Sequence, residues 1–277
     1  GAPPESILAA QHKLHARRVL QQVAPEANLR CAPLDAGAAA CLPQGFEFPV
    51  FAKPVKGVFS VLARRIESPD QLRDCTRFDR YERWLVRQLV EPFERVCRAR
   101  LPQAGSAYRW LIEEPVDPRT PQFNLDGWVS DGRVHALGVV DAIMYPGTQA
   151  FMRWEHPSRL PVEVQRRALD VAQRFLRAIG YTHGFFNLEF FYDDRDDRLR
   201  VIECNPRLAA QFSDLYERVH GIDAHAMALA LALGKDPASL PRRRPMAGIA
   251  ASLVYRAFDA RGVIPAAPTA SQREALS

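Results

Sequence analysis

The chain of 277 residues lacks any hydrophobic run long enough to cross a membrane. Its longest apolar stretch, "AHAMALALALG" at 224–234, is shorter than the roughly 18 residues that a spanning helix needs, so it predicts a buried helix. No signal peptide is visible, and the chain opens on Gly1 rather than Met, which suggests processing or a fragment. We therefore expect no membrane partner.

Cysteine is scarce and scattered. The five cysteines form no C-x-x-C pair, which argues against a zinc site built on cysteine pairs. An odd number without regular spacing also argues against a disulfide framework. We expect reduced thiols and a cytoplasmic location.

Lysine is scarce as well. Of 37 basic residues only four are lysine, namely Lys13, Lys53, Lys56 and Lys235, so the net charge of +5 rests on arginine. A lysine in such a chain is expected where a compact, strongly hydrated point charge is needed. The basic run "PRRRP" at 241–245 has no interleaved aromatics, so it predicts a solvated linker and no nucleic-acid partner.

What the sequence does contain is a mixture of helical and hairpin patterns. Apolar spacing predicts helices over 6–23, 80–99, 161–180, 211–220 and 222–234, and Ser68 followed by Pro69 predicts the start of another. Strand patterns occupy 48–54, 57–68, 108–116, 184–193, 198–206 and 248–258, and two strands flank the turn "SDGR" within 122–141. Because hairpins dominate, the predicted fold class is α+β.

Polar residues interrupt the two strands around the charged turn "DDRDD". Alternation predicts Asn187 and Glu189 on one face of the first strand, and Val201, Glu203 and Asn205 on one face of the second. The hairpin would bring the two glutamates together, where they repel unless a cation neutralises them. Two carboxylates and an amide oxygen suit Mg²⁺. The alternative from the hairpin alone is a solvated face with arginine partners.

Taken in order, "FPVFAKPVKGVFS", "WLIEEPV", "GWVSDGRV", "GFFNLEFFYD" and "VIECNPR" resemble an ATP-grasp ligase from about Lys13 to Ala257. The resemblance implies an ATP-grasp fold, in which two α+β subdomains sandwich the nucleotide. It implies an N-terminal helix and connector over 1–40, a small subdomain with the phosphate-loop hairpin and adenine hinge over 41–117, and a large subdomain with the metal site over 118–277.

The resemblance also implies roles for individual residues. Lys13 and Lys53 would contact the phosphates of ATP, and "GVFS", which ends at Ser60, would form the phosphate loop. Glu113, Glu114 and Val116 would form the adenine hinge, and Asp117 or Gln122 would contact the ribose. Glu189, Glu203 and Asn205 would bind Mg²⁺ (or Mn²⁺), and Arg207 would face the reacting carboxylate. The loop lacks a second glycine, and Gln122 is not the acid expected for the ribose. Arg207 has an alternative role as a cap of the strand end. Arg153 and His156 are further candidates near the phosphates.

The implied activity is that of a ligase that uses ATP to activate a carboxylate as an acyl phosphate and transfers it to an amine or thiol, releasing ADP and phosphate. Biotin-carboxylase-like relatives carry a glutamate base where this chain has Gln211, and an amide cannot act as a general base, so carboxylation is disfavoured. We expect small-molecule substrates and an N-terminal domain that is missing here or supplied by a partner. The oligomeric state stays open, a homodimer included. Two other functions also stay open, a degenerate module that binds nucleotide without turnover and a basic domain that binds anions or RNA.

Overall fold

The structure, a computed structural model, describes residues 1–35, 41–57, 62–256, 258 and 269–271. The helices are α1 (Pro4–Gln11), α2 (Lys13–Val23), α3 (Pro69–Thr76), α4 (Arg80–Arg100), α5 (Val162–Ala178), α6 (Ser213–His220) and α7 (Ala224–Ala232). The strands are β1 (Cys31–Leu34), β2 (Val50–Pro54), β3 (Arg64–Ile66), β4 (Trp110–Glu113), β5 (Gln122–Ser130), β6 (Arg133–Met144), β7 (Phe151–His156), β8 (Gly184–Asp193), β9 (Arg198–Asn205) and β10 (Ala250–Leu253). The predicted α+β class is confirmed.

Two antiparallel sheets organise these elements. The smaller sheet has the order β1-β4-β2-β3, and the larger has the order β10-β7-β6-β5-β8-β9. Strands of the smaller sheet precede Asp117 and strands of the larger follow it. β1 and β7 lie outside the predicted strands. The division into 1–40, 41–117 and 118–277 stays a prediction, and β1 extends the smaller sheet into its first part.

Hydrophobic side chains pack on both faces of the larger sheet. On one face, α2 and α5 contribute to a cluster that includes Phe175 and Phe190. On the other face, α6 and α7 contribute to a cluster around Phe212 and Tyr216. Because both faces are packed, the hairpin formed by β8 and β9 has a fixed position.

The helix predicted over 6–23 is wrong as a single element, because it breaks at His12. This residue has an extended backbone (φ −85°, ψ 90°) and caps α2, with its Nδ1 accepting a hydrogen bond from His15 N. Its buried ring also contacts Gly105 O through Nε2, at 3.3 Å. The break makes Lys13 the first residue of α2, where its backbone N–H donates to the carbonyl of Val55, the residue after β2.

The structure bears on the cysteines and on the longest apolar stretch. All five cysteines are free thiols, as expected from their spacing. Among the described residues, no helix combines the length and apolarity needed to cross a membrane. The helix in the apolar stretch, α7, is only nine residues long.

Candidate active site

The β8–β9 hairpin brings the two predicted metal-ligand glutamates together. Glu189 and Glu203 are directly paired across the ladder, which confirms that they are neighbours. Asn205 Nδ2 donates a hydrogen bond to Glu189 Oε1 at 2.9 Å. Three oxygen-bearing side chains therefore share one end of this hairpin.

A β-bulge interrupts β9 beside this site. The register shifts between Glu189 and Phe190, so that Ile202 is the extra residue on β9. As a result Val201 and Cys204 both pack into the core on the α5 side. The prediction that Val201 shares a face with Glu203 and Asn205 is therefore wrong, because simple alternation does not continue through a bulge.

Of the two predicted phosphate lysines, Lys13 lies beside Glu203 and Lys53 lies beside Glu113 at the end of β4. Lys13 Nζ is 3.1 Å from Glu203 Oε2 and donates to Gly57 O at 2.8 Å. Lys53 Nζ is 2.8 Å from Glu113 Oε2, in a buried ion pair. We call Lys13, Lys53, Glu113, Glu189, Glu203 and Asn205 the site cluster.

Arg17 is a central residue that sequence reasoning missed. Its Nε donates to Glu113 Oε1 at 2.7 Å, and its Nη1 and Nη2 donate to the carbonyls of Val201 and Ile202 at 2.7 and 3.0 Å. The side chain is only 3% exposed. It thus ties the end of β4 to the bulge in β9. The one available signal was its position three residues from both Leu14 and Leu20, on the buried face of α2.

The charges of the site cluster are strongly coupled. Burial, helped by the neighbouring Glu203, raises the pKa of Glu189 to about 7. Burial opposes ionisation of Glu203 too, but Lys13 and Lys53 outweigh it and hold its pKa below the ordinary value. Arg17 and Lys53 likewise outweigh the effect of burial on Glu113 and hold its pKa below the ordinary value. Near neutral pH, therefore, Glu189 is the carboxyl that a bound cation would deprotonate.

The donor set fits a magnesium ion held partly by phosphates. The set contains only two carboxylates, and in the described part of the chain no group of three or more His, Cys, Asp or Glu side chains is arranged to hold a metal. Glu189 and Glu203 offer carboxylates and Asn205 an amide oxygen, which are hard ligands. Mg²⁺ usually binds through one or two carboxylates, with waters and substrate phosphates completing its shell.

The remaining predicted residues lie around the cluster or outside the described part. Glu114 donates its backbone N–H to Arg30 O, and Val116 is half-buried after β4. Asp117 is paired with Arg119 and Arg195, and its bonds to Arg119 lower its pKa.

Gln122 is half-buried at the start of β5, and Ser60 lies outside the described residues. Arg207 is exposed, and its Nη1 donates to Leu208 O at 3.2 Å. Arg153 is paired with Glu155, and His156 is buried against Val139 O and His220. These contacts leave the roles of all these residues as predictions.

The Glu189→Gln variant is expected to become more stable relative to the parent as pH rises. The folded-state pKa of Glu189 lies above its ordinary value, so between about pH 4.5 and pH 7 the folded state holds a proton that the unfolded state has lost. The parent should therefore lose stability across this window, while the variant should not. Urea unfolding at pH 5 and pH 8 measures the difference. Glu163→Gln, an exposed surface change, is the control. A parent-to-variant difference that does not change with pH would contradict the assigned pKa.

Comparisons with known proteins identify the class to which this architecture belongs. Residues 140–240 match the family model of the ATP-binding domain of the carbamoyl-phosphate synthase L chain. The L-amino acid ligase from Bacillus licheniformis superposes with a TM-score of 0.62 at 18% identity, over 84% of this chain and 50% of that one. Biotin carboxylase from Campylobacter jejuni, solved with a nucleotide, gives 0.62 at 21% identity, over 90% and 50%. The chain has the ATP-grasp fold, as its motifs predicted.

Curated proteins also match this chain in sequence. Carnosine synthase 1 of Gallus gallus is 32% identical over 156 residues, which are 55% of this chain and 16% of that protein. The chain thus spans about half the length of the two solved structures and a smaller share of the curated relative.

Proposed function

We propose that this chain is the nucleotide-binding and catalytic part of an ATP-dependent ligase that joins a carboxylate to an amine. The observation that carries the proposal is the site cluster. Lys13, at the start of α2, contacts Glu203 near the end of the β8–β9 hairpin, where Glu189 and Asn205 also lie. Lys53 on β2 pairs with Glu113 at the end of β4, and its charge also acts on Glu203. Paired carboxylates facing fixed lysines suit a metal–triphosphate complex, in which both signs of charge must be balanced.

In the proposed reaction a carboxylate oxygen attacks the γ-phosphorus of ATP, the bond to the β-phosphate oxygen breaks, and ADP leaves. The amine then attacks the acyl carbon, inorganic phosphate departs, and the amine loses a proton to solvent. Mg²⁺ held by Glu189, Glu203 and Asn205 would supply positive charge to the phosphates. Lys13 and Lys53 donate hydrogen bonds to phosphate oxygens, and the chemistry needs chiefly such positioning and electrostatic support.

Arg207 is the group best suited to hold the reacting carboxylate. Its charge acts on Glu189, so it lies near the metal site. Among the described residues no carboxylate forms an ion pair with it, so its guanidinium fork remains available. That planar fork matches a carboxylate in a bidentate manner. We therefore assign it to the carboxylate substrate and its acyl phosphate.

The substrate class that we favour is amino acids on both sides of the new bond. The names of two similar proteins, an L-amino acid ligase and a carnosine synthase, support this choice. Carboxylation is disfavoured because Gln211, at the position of the expected base, is an exposed amide in a short 3₁₀ turn.

Calorimetric titration with Mg·ATP, followed by ADP release with pooled amino acids, tests the proposal. We expect nucleotide binding that requires the metal, and ADP release that requires both an acid and an amine. Binding without ADP release under any pool would instead favour a nucleotide-binding module without turnover. Absence of nucleotide binding would overturn the proposal.

Lys53→Ala is expected to weaken Mg·ATP binding by about tenfold or more. The lysine contacts are charge-assisted hydrogen bonds, each worth about 1.5 to 3 kcal/mol. Glu113 keeps Arg17 as a partner in the variant, but loss of a buried ion-pair partner lowers stability, so binding is measured well below the melting temperature of the variant. Lys235→Ala, at an exposed lysine beyond α7, is the matched control. Equal affinities for the two variants in calorimetry would remove the phosphate role of Lys53.

A further inference from the structure

A row of polar side chains crosses three strands of the larger sheet beside the site cluster. It consists of Asn124 and Asp126 on β5, Asn187 on β8 and Asn205 on β9. Asn124, Asp126 and Asn187 are 6%, 2% and 2% exposed. Buried polar groups of this kind are costly unless every hydrogen bond is made, so their partners define their orientation.

Hydrogen bonds in this row are donated in one direction, from β9 to β8 and from β8 to β5. Asn187 Nδ2 donates to Asp126 Oδ1 at 2.6 Å and to Asn124 Oδ1 at 3.1 Å. Asn205 Nδ2 donates to Asn187 Oδ1 at 3.1 Å. When it is ionised, the carboxylate of Asp126 can only accept, so it requires the nitrogen of Asn187 on its own side. That leaves the oxygen of Asn187 to face Asn205.

A second anchor holds Asp126 from the opposite side. Tyr216 on α6 donates its hydroxyl hydrogen to Asp126 Oδ2 at 2.7 Å, and its ring is fully buried. Gly138 makes room for this ring, since a Cβ there would lie 2.6 Å from Tyr216 Cε1. Both oxygens of Asp126 are therefore occupied, and its position is fixed by two separate elements.

These hydrogen bonds determine which atom of Asn205, a predicted metal ligand, remains free. Both hydrogens of Asn205 Nδ2 are used, one by Asn187 Oδ1 and one by Glu189 Oε1. The oxygen of the Asn205 amide is then the atom left for a metal. We propose that Asp126 and Asn187 are positioning residues that set the orientation of the Asn205 amide, so that it presents Oδ1 to the metal–nucleotide complex. This proposal rests on the proposed function.

Exchanging the acid at 126 and the amide at 187 tests whether the direction of hydrogen-bond donation along the row matters for metal binding. In Asp126→Asn, the amide at 126 no longer dictates which end of Asn187 it faces. In Asn187→Asp, two carboxylates repel each other across the pair. In the double variant, the carboxylate at 187 accepts from the amide at 126 and, once the Asn124 amide turns its nitrogen toward it, from Asn124 as well. It still offers an oxygen to Asn205. Asp196→Asn, at an exposed turn of the same hairpin, is the control.

The readout is Mn²⁺ affinity in the presence of a non-hydrolysable ATP analogue, measured by electron paramagnetic resonance of free Mn²⁺. Nucleotide affinity without metal and melting temperature are measured alongside. Because burial raises the pKa of Asp126 to about 7, the titrations are run at pH 8, where it is ionised. A role confined to folding would move metal-free nucleotide affinity as much as metal affinity.

We expect each single variant to lose about tenfold in Mn²⁺ affinity, as groups that orient metal ligands typically show. The double variant should recover most of that loss, with metal-free nucleotide affinity unchanged throughout. Single variants that bind Mn²⁺ like the parent, or a double variant no better than either single, would overturn the proposal. A parent that takes up no Mn²⁺ with nucleotide would instead overturn the proposed function itself.

Discussion

Arg207→Lys is expected to lower ligation turnover by about 10²–10³-fold while leaving Mg·ATP affinity nearly unchanged. Lysine keeps the positive charge but loses the planar fork that holds both oxygens of a carboxylate. The nucleotide is assigned to Lys13, Lys53 and the metal ligands, so its affinity should not depend on this fork. Nucleotide affinity is measured by calorimetry, and turnover by ADP release with the acid that the pooled screen identifies.

The control for this prediction is Arg242→Lys, in the exposed linker after α7. It should change neither quantity. If Arg207→Lys reduced ATP affinity and left saturated turnover intact, Arg207 would belong to the phosphates. If it changed neither, its role would be that of a cap at the end of β9.

Arg17→Met is expected to destabilise the protein by about 3 to 5 kcal/mol, the usual cost of breaking a buried ion pair from one side. The change leaves Glu113 with a single cationic partner and removes two hydrogen bonds from the carbonyls of Val201 and Ile202. The methionine fills much of the volume, so the loss reflects the missing polar contacts. Urea unfolding gives the free energy.

Arg18→Met is a matched control on the next residue of α2, because the Arg18 side chain is exposed and makes one bond, to Ala104 O. Its effect should be small. A similar, small loss in both variants would mean that the link between β4 and β9 contributes little to stability.

Local patterns were sufficient to predict the hairpins. The turn "SDGR" closes β5 and β6 with Asp131 and Gly132 at positive φ, as Asp-Gly turns require. Ser68 caps α3 by accepting from Gln71 N, also as predicted. Both features depend on neighbouring residues alone, which is why the sequence reveals them.

Features set by tertiary contacts were not predictable in this way. The break at His12 depends on burial of its ring against Gly105, 93 residues away. The bulge at Ile202 is held by Arg17, which is 184 residues from Val201. Arginine is so common in this chain that composition does not distinguish Arg17. The proximity of Glu189 and Glu203 was predictable because one short turn connects their strands.

Glu203→Gln tests most directly whether Glu189, Glu203 and Asn205 hold a metal–ATP complex. The substitution keeps size and removes charge at a residue that also contacts Lys13. Calorimetric titration with ATP at fixed Mg²⁺ should show a loss of about tenfold or more in affinity, as expected when a charge-assisted contact worth about 1.5 to 3 kcal/mol is removed, with the melting temperature retained. If the variant binds Mg·ATP as tightly as the parent, the end of β9 is a structural feature and the metal–nucleotide account is wrong.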